Sequence, residues 1–154
     1  WKPRLAISYD QVSGDDASAS EYERYDTLFG SRRFEFAPSG IYATVARANI
    51  RSPEVRIEVA PTTRLDAFLA YRALWLESKT DSFSTSGVRD VRGLSGDLAG
   101  HQLDSRLRYW IIPQSLRFEA DAVFLDKRRF LLEAPNAPRT GDTLYYSINL
   151  TASF

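Results

Sequence analysis

From Leu144 to Phe154 every even position is apolar (Leu144, Tyr146, Ile148, Leu150, Ala152, Phe154), and the odd positions carry Tyr145, Ser147, Asn149, Thr151 and Ser153. A period of two is the signature of a strand with one greasy and one wet face. The pattern recurs five more times. Leu5, Ile7 and Tyr9 alternate with Lys2, Arg4, Ser8 and Asp10 and predict a strand from Trp1. Val55, Ile57 and Val59 alternate with Glu54, Arg56 and Glu58 and predict a second over 54–60. Leu65, Leu69, Tyr71 and Trp75 against Arg64, Asp66 and Arg72 predict a third over 64–77. Leu103, Leu107, Tyr109 and Ile111 against Gln102, Asp104, Arg106 and Arg108 give a fourth over 100–112. Leu116, Phe118, Ala120, Ala122 and Phe124 against Arg117, Glu119 and Asp121 give a fifth from 116.

The connections between these six segments alternate in length. Pro61-Thr62-Thr63 and Pro113-Gln114-Ser115 are tight turns, whereas 13–48, 78–99 and 127–141 are long and rich in Ser, Asp, Gly and Pro. Within the first, Phe34-Glu35-Phe36, Pro38-Ser39-Gly40 and 41–48 have the chemistry of a hairpin, which would raise the strand count toward eight. Short turns at one end and long loops at the other is the rule of outer-membrane barrels, whose external loops are the long ones. The terminal strand, about eleven residues at about 3.3 Å each and tilted by about 40°, rises roughly 28 Å, enough for an apolar band of roughly 25 Å. Its aromatic terminus, Phe154, resembles the signal by which bacterial outer-membrane barrels are recognised for insertion by the barrel-assembly machinery.

The pattern therefore predicts an all-β, antiparallel up-and-down transmembrane barrel with lipid on its apolar face. Period two does not by itself say which face is outside, and a soluble lipocalin-like binding barrel has the same alternation with the sign reversed. The charge on the polar face, together with aromatics at strand ends (Trp1, Tyr9, Trp75, Tyr109, Phe154), favours the membrane version. Open sheet edges are costly in hydrocarbon, and single-chain barrels begin at eight strands. Six clear strands in a chain that starts without Met, in what reads as mid-strand, predict the C-terminal part of a larger porin-like barrel; a small closed structural barrel is the other solution.

Composition narrows the chemistry. Lys plus Arg and Asp plus Glu are both 20, so no global field points to nucleic acid. There is no cysteine, which excludes disulfides and thiolate ligands. Aromatic residues make up 13%, with eight tyrosines, as interfacial girdles require. The chain has no run of eighteen apolar residues that would make a membrane helix.

Tyr25-Asp26-Thr27-Leu28-Phe29-Gly30-Ser31-Arg32-Arg33, Ser39-Gly40-Ile41-Tyr42, Asn49-Ile50-Arg51-Ser52-Pro53 and Ala70-Tyr71-Arg72-Ala73-Leu74-Trp75 carry a likeness to a known family, as do Gly100-His101-Gln102-Leu103-Asp104, 130–139 and Gly141-Asp142-Thr143-Leu144-Tyr145. In their order and spacing the chain resembles the C-terminal part of the alginate-export family of outer-membrane proteins. That resemblance implies a porin-sized barrel of roughly 16 to 18 strands, in the bacterial outer membrane, with an arginine-rich constriction that passes an anionic polyuronate outward.

Such a channel needs guanidinium groups in its lumen, because Arg is always charged and its planar fork matches a carboxylate. Lys2, Arg4, Arg56, Arg72, Arg106, Arg108 and Arg117 share the polar parity, and Arg32 and Arg33 on the first long loop have the charge to narrow the channel if they fold inward. Asp10, Glu54, Glu58, Asp66, Asp104, Glu119 and Asp121 share the same face, so a ladder of ion pairs filling the lumen is the competing reading of each arginine. The sole histidine, His101, falls on the apolar parity with Ser105 and away from Asp104, so no triad forms. Glu119 and Asp121, two apart on one face, are the candidate acid pair for an enzyme and fit an acidic patch as readily. No catalytic site, metal or cofactor is expected. The expected partners are outer-membrane lipid, an anionic polysaccharide or small anionic solute, and the assembly machinery.

Overall fold

The structure, a computed structural model, describes residues 1–16, 20–26, 36–37 and 45–154. Its elements are β1 (Arg4–Val12), β2 (Ile50–Val59), β3 (Leu65–Trp75), β4 (Leu98–Ile112), β5 (Leu116–Lys127), a short helix α1 (Arg129–Glu133) and β6 (Thr143–Ala152). The strands form one sheet in the order β1-β2-β3-β4-β5-β6, each pair antiparallel. The sheet is not closed: among the described residues β1 and β6 each leave one edge unpaired.

Two neighbouring rows across the ladder define its faces. Ile7, Val55, Tyr71, Leu103, Phe124 and Leu144 are register partners in succession and are between 42% and 77% exposed. One residue along each strand, Ser8, Glu54, Arg72, Gln102, Leu125 and Thr143 form the next row on the other face, where Glu54, Arg72 and Gln102 are buried. A soluble protein does the opposite, hiding aliphatics and exposing charge. An exposed apolar face this wide calls for a cover other than water, since about 25 cal/mol is gained for each Å² removed from water. A lipocalin-like barrel would have these side chains packed together inside.

At the end of the sheet that carries the long connections, the alternation changes phase. On β2 Ile50 is buried on the inner face while Arg51 stands on the outer one, and on β3 Leu74 is buried inside. For this reason β2 begins at Ile50 rather than at Glu54, and β5 runs on to Lys127: the strands continue where the polarity of their faces inverts. The inversion has a cause in each face. Outside, the rows of exposed aliphatics have ended; inside, the strand is roofed by its own loops.

The roof is built by the long connections themselves. Phe83 and Val88, from the β3–β4 connection, pack with Phe130, Leu131 and Ala134 on Leu74, Val123 and Leu125 of the inner face. Phe130 and Leu131 belong to α1, whose five residues are too few for a helical period to be visible in sequence; Pro135 follows its C-cap, Ala134. Asn136 ties the two loops together, accepting from Arg89 N (2.8 Å) and donating to the Gly87 carbonyl (2.8 Å). Glycine is required at Gly100, where a Cβ would stand 2.6 Å from the Asp126 carbonyl oxygen across the β4–β5 ladder. Of the hairpin expected near Phe34 to Ala48, most lies outside the described residues, as do Arg32 and Arg33. Phe36 is described and buried in the same apolar cluster.

Candidate functional site

The inner face is layered from the short-turn end toward the loops. Nearest the short turns is a cleft of about 380 Å³ whose lining includes Lys2, Arg4, Arg56, Arg106 and Arg108, set against Glu58 and Asp66. Parity puts these groups on one face, and register puts them side by side: Arg4, Glu58, Phe68, Arg106, Asp121 and Ser147 are successive partners across all six strands.

Each cation is held differently. Arg108 makes a two-nitrogen pair with Asp66, Nε and Nη2 both 2.8 Å from Oδ1. Glu58 serves two arginines, Arg4 Nη1 at 3.4 Å and Arg56 Nε at 2.7 Å, the latter without its N–H being aimed at the oxygen. Arg117 lies 3.7 Å from Glu119 and over the Trp110 ring at 5.6 Å. Arg106 has no ion pair among the described residues; its guanidinium lies 4.8 Å from the centre of the Phe68 ring. Five cations against two carboxylates leave the cleft with a surplus of positive charge.

Above it is a buried polar layer. Arg72 donates to Glu54 and lies 3.5 Å from Asp104, with the Phe36 ring 4.7 Å from its guanidinium. Gln102 donates to Asp104 (2.8 Å) and to the Phe36 carbonyl (2.5 Å), which seats the β1–β2 connection on the sheet. Below this layer, in the row of Arg106, Asp121 accepts from Ser147 (2.9 Å) and Asn149 (3.3 Å). Above this layer stands the apolar roof.

Of the residues singled out in the sequence, the structure brings Lys2, Arg4, Arg56, Arg106 and Arg108 into one cleft and keeps Arg117 on the same face. Arg72 is elsewhere, locked between two carboxylates in the buried layer. Glu119 and Asp121 do share the inner face, with Glu119 near Arg117 and Asp121 bound to amide and hydroxyl groups. His101 is on the outer face, its Nδ1 2.8 Å from the Tyr71 hydroxyl and the two rings stacked 5.9 Å apart. Phe68, which carries no charge, is not marked out by parity alone. Its signal was nonetheless present: an aromatic on the polar parity of a strand has no reason to be there unless something packs on it.

A sheet with an apolar outer face, a charged inner face and all its long connections at one end is a segment of a membrane β-barrel wall. The family model for alginate export matches residues 1–140, and the chain belongs to the alginate-export family, whose role is transport across the outer membrane rather than catalysis. No curated protein and no solved structure matches the chain.

Proposed function

We propose that this chain forms one wall of an outer-membrane channel through which an alginate-like polyuronate passes, smaller anionic solutes being admitted by the same charge. The surplus of cations in the inner cleft, directly behind a lipid-facing outer surface, carries this reading. Lys2, Arg4, Arg56, Arg106 and Arg108 meet the polymer's carboxylates, and Arg117 extends that surface along β5. The lone pairs of a carboxylate match two N–H groups of a guanidinium, which gives both strength and orientation. Arg72, neutralised by Glu54 and Asp104, stiffens the wall above the cleft. The short turns are periplasmic, the long connections external, and the basic cleft is the side on which the polymer enters. Further strands, toward the roughly 16 to 18 of a porin-sized barrel, pair with the free edges of β1 and β6.

The test is conductance of the full-length protein in planar bilayers. Uronate oligomers are expected to block the current, and Arg106→Ala and Arg108→Ala each to raise the half-blocking concentration about tenfold, the loss of about 1.4 kcal/mol of charge-assisted binding. A protein without conductance, or one whose block ignores both substitutions, ends this reading.

A further inference from the structure

The basic cleft contains a residue that its charge does not call for. Phe68 stands on the inner face of β3 between Glu58 of β2 and Arg106 of β4. Guanidinium groups from both neighbouring strands lie against its ring, Arg56 at 3.8 Å and Arg106 at 4.8 Å from the centroid. Arg106 has a carboxylate as its partner across the ladder on the opposite side, Asp121 of β5. Yet Arg106 makes no ion pair among the described residues, and Asp121, itself buried, keeps Oδ1 without a hydrogen-bond donor. The arginine lies against the ring and makes no ion pair with the acid.

The two contacts have different electrostatic consequences. A carboxylate cancels the charge of a guanidinium; an aromatic face attracts it through the ring quadrupole and leaves the net charge intact. A guanidinium laid on a ring also keeps its in-plane N–H groups directed outward, where they can fork onto a carboxylate.

We propose that Phe68 is a positioning residue of the cleft: its ring holds Arg106 off Asp121, so that one guanidinium stays without an ion-pair partner and available to a carboxylate in the lumen. This rests on the cleft being the anion-binding wall, and it names the device that keeps the wall charged.

The experiment uses the full-length protein in planar bilayers with two readouts, the reversal potential in a KCl gradient and the concentration of uronate oligomer giving half block. Phe68→Leu removes the quadrupole at similar bulk. It is expected to shift the reversal potential toward cation selectivity and to raise the half-blocking concentration about tenfold as Arg106 turns to Asp121. Phe68→Tyr, which keeps the ring face, holds both values at wild type. Phe68→Leu combined with Asp121→Asn brings both back toward wild type, because the competing acid is gone. Asp121→Asn alone changes the block less than about twofold, and this arm stands even if Phe68→Leu does not fold.

Wild-type values for Phe68→Leu overturn the proposal. So does a double variant as impaired as Phe68→Leu, which would mean a packing role. A tenfold tighter block for Asp121→Asn alone would also overturn it, since Asp121 would then already cancel Arg106. If uronates fail to block the wild type while Phe68→Leu still moves the reversal potential, the polyuronate reading falls and the role of Phe68 stands.

Discussion

Single residues hold the loops to the sheet, and Asn49 shows how. It is fully buried with a positive φ of 48°, and its side chain accepts from Ser78 N (2.6 Å) while donating to the carbonyls of Ser78 and Ser82 (both 3.0 Å). Gly14 lies against it with no room for a Cβ. Asn49→Ala strands three backbone groups and places Ala in a region where Asn is tolerated. A loss of about 2–3 kcal/mol is expected, read from the urea midpoint of the refolded protein. In the β3–β4 loop, Asp90 accepts from the Ser95 hydroxyl (2.8 Å), Ser95 N (2.8 Å) and Arg92 N (3.0 Å). The Ser95 hydroxyl above all, then these backbone N–H groups, holds the Asp90 carboxyl below its ordinary value, against the opposing effect of desolvation. Because the folded value is depressed, the stabilisation is complete above the unfolded pKa of about 3.9 and disappears as pH falls through the lower folded value. Proteolysis of residues 78–97 is therefore expected to stay slow from neutral pH to about pH 4 and to accelerate below it, and Asp90→Asn to flatten that dependence.

At the scale of one element, the two faces of a strand obey different rules. Leu69 sits mid-strand on the outer face of β3, between Ile57 and Ser105. Leu69→Arg should cost about 2–4 kcal/mol in lipid vesicles, because the charge meets hydrocarbon. The inner face of the same strand already carries a charge among polar groups, Arg72 between Glu54 and Asp104. Unfolding titrations in vesicles measure the difference. The helix α1 is held by burial rather than by intrinsic propensity, since five residues are too few to be stable alone. Phe130→Ala should therefore remove about 3–5 kcal/mol of packing and expose the amides of 129–134 to rapid hydrogen exchange, while β4 and β5 keep their protection.

At the scale of the whole molecule, each strand follows from a local rule and the roof does not. Alternation was legible wherever a strand has the band of exposed aliphatics on one side and polar groups on the other, which is why Val55-Arg56-Ile57-Glu58 and Leu103 to Arg108 declared themselves. It became illegible where the strands rise out of that band and the faces exchange polarity, as at Ile50, Leu74 and Leu125. The basic cleft was half legible in the same way. Parity put Arg4, Arg56, Arg106 and Arg108 on one face, but only register made Arg106 the neighbour of both Phe68 and Asp121 and set Arg72 apart between Glu54 and Asp104.

Sequence alone determined the period, the number of clear strands, the alternation of short and long connections and the face on which each side chain stands, because these depend on neighbours along the chain and on the one solvent boundary each strand crosses. Tertiary structure decided which charges cancel and which stay free, and that the loops turn inward to make an apolar roof. Those outcomes depend on distances of a few ångströms between residues far apart in the chain, and the ladder's register sets them.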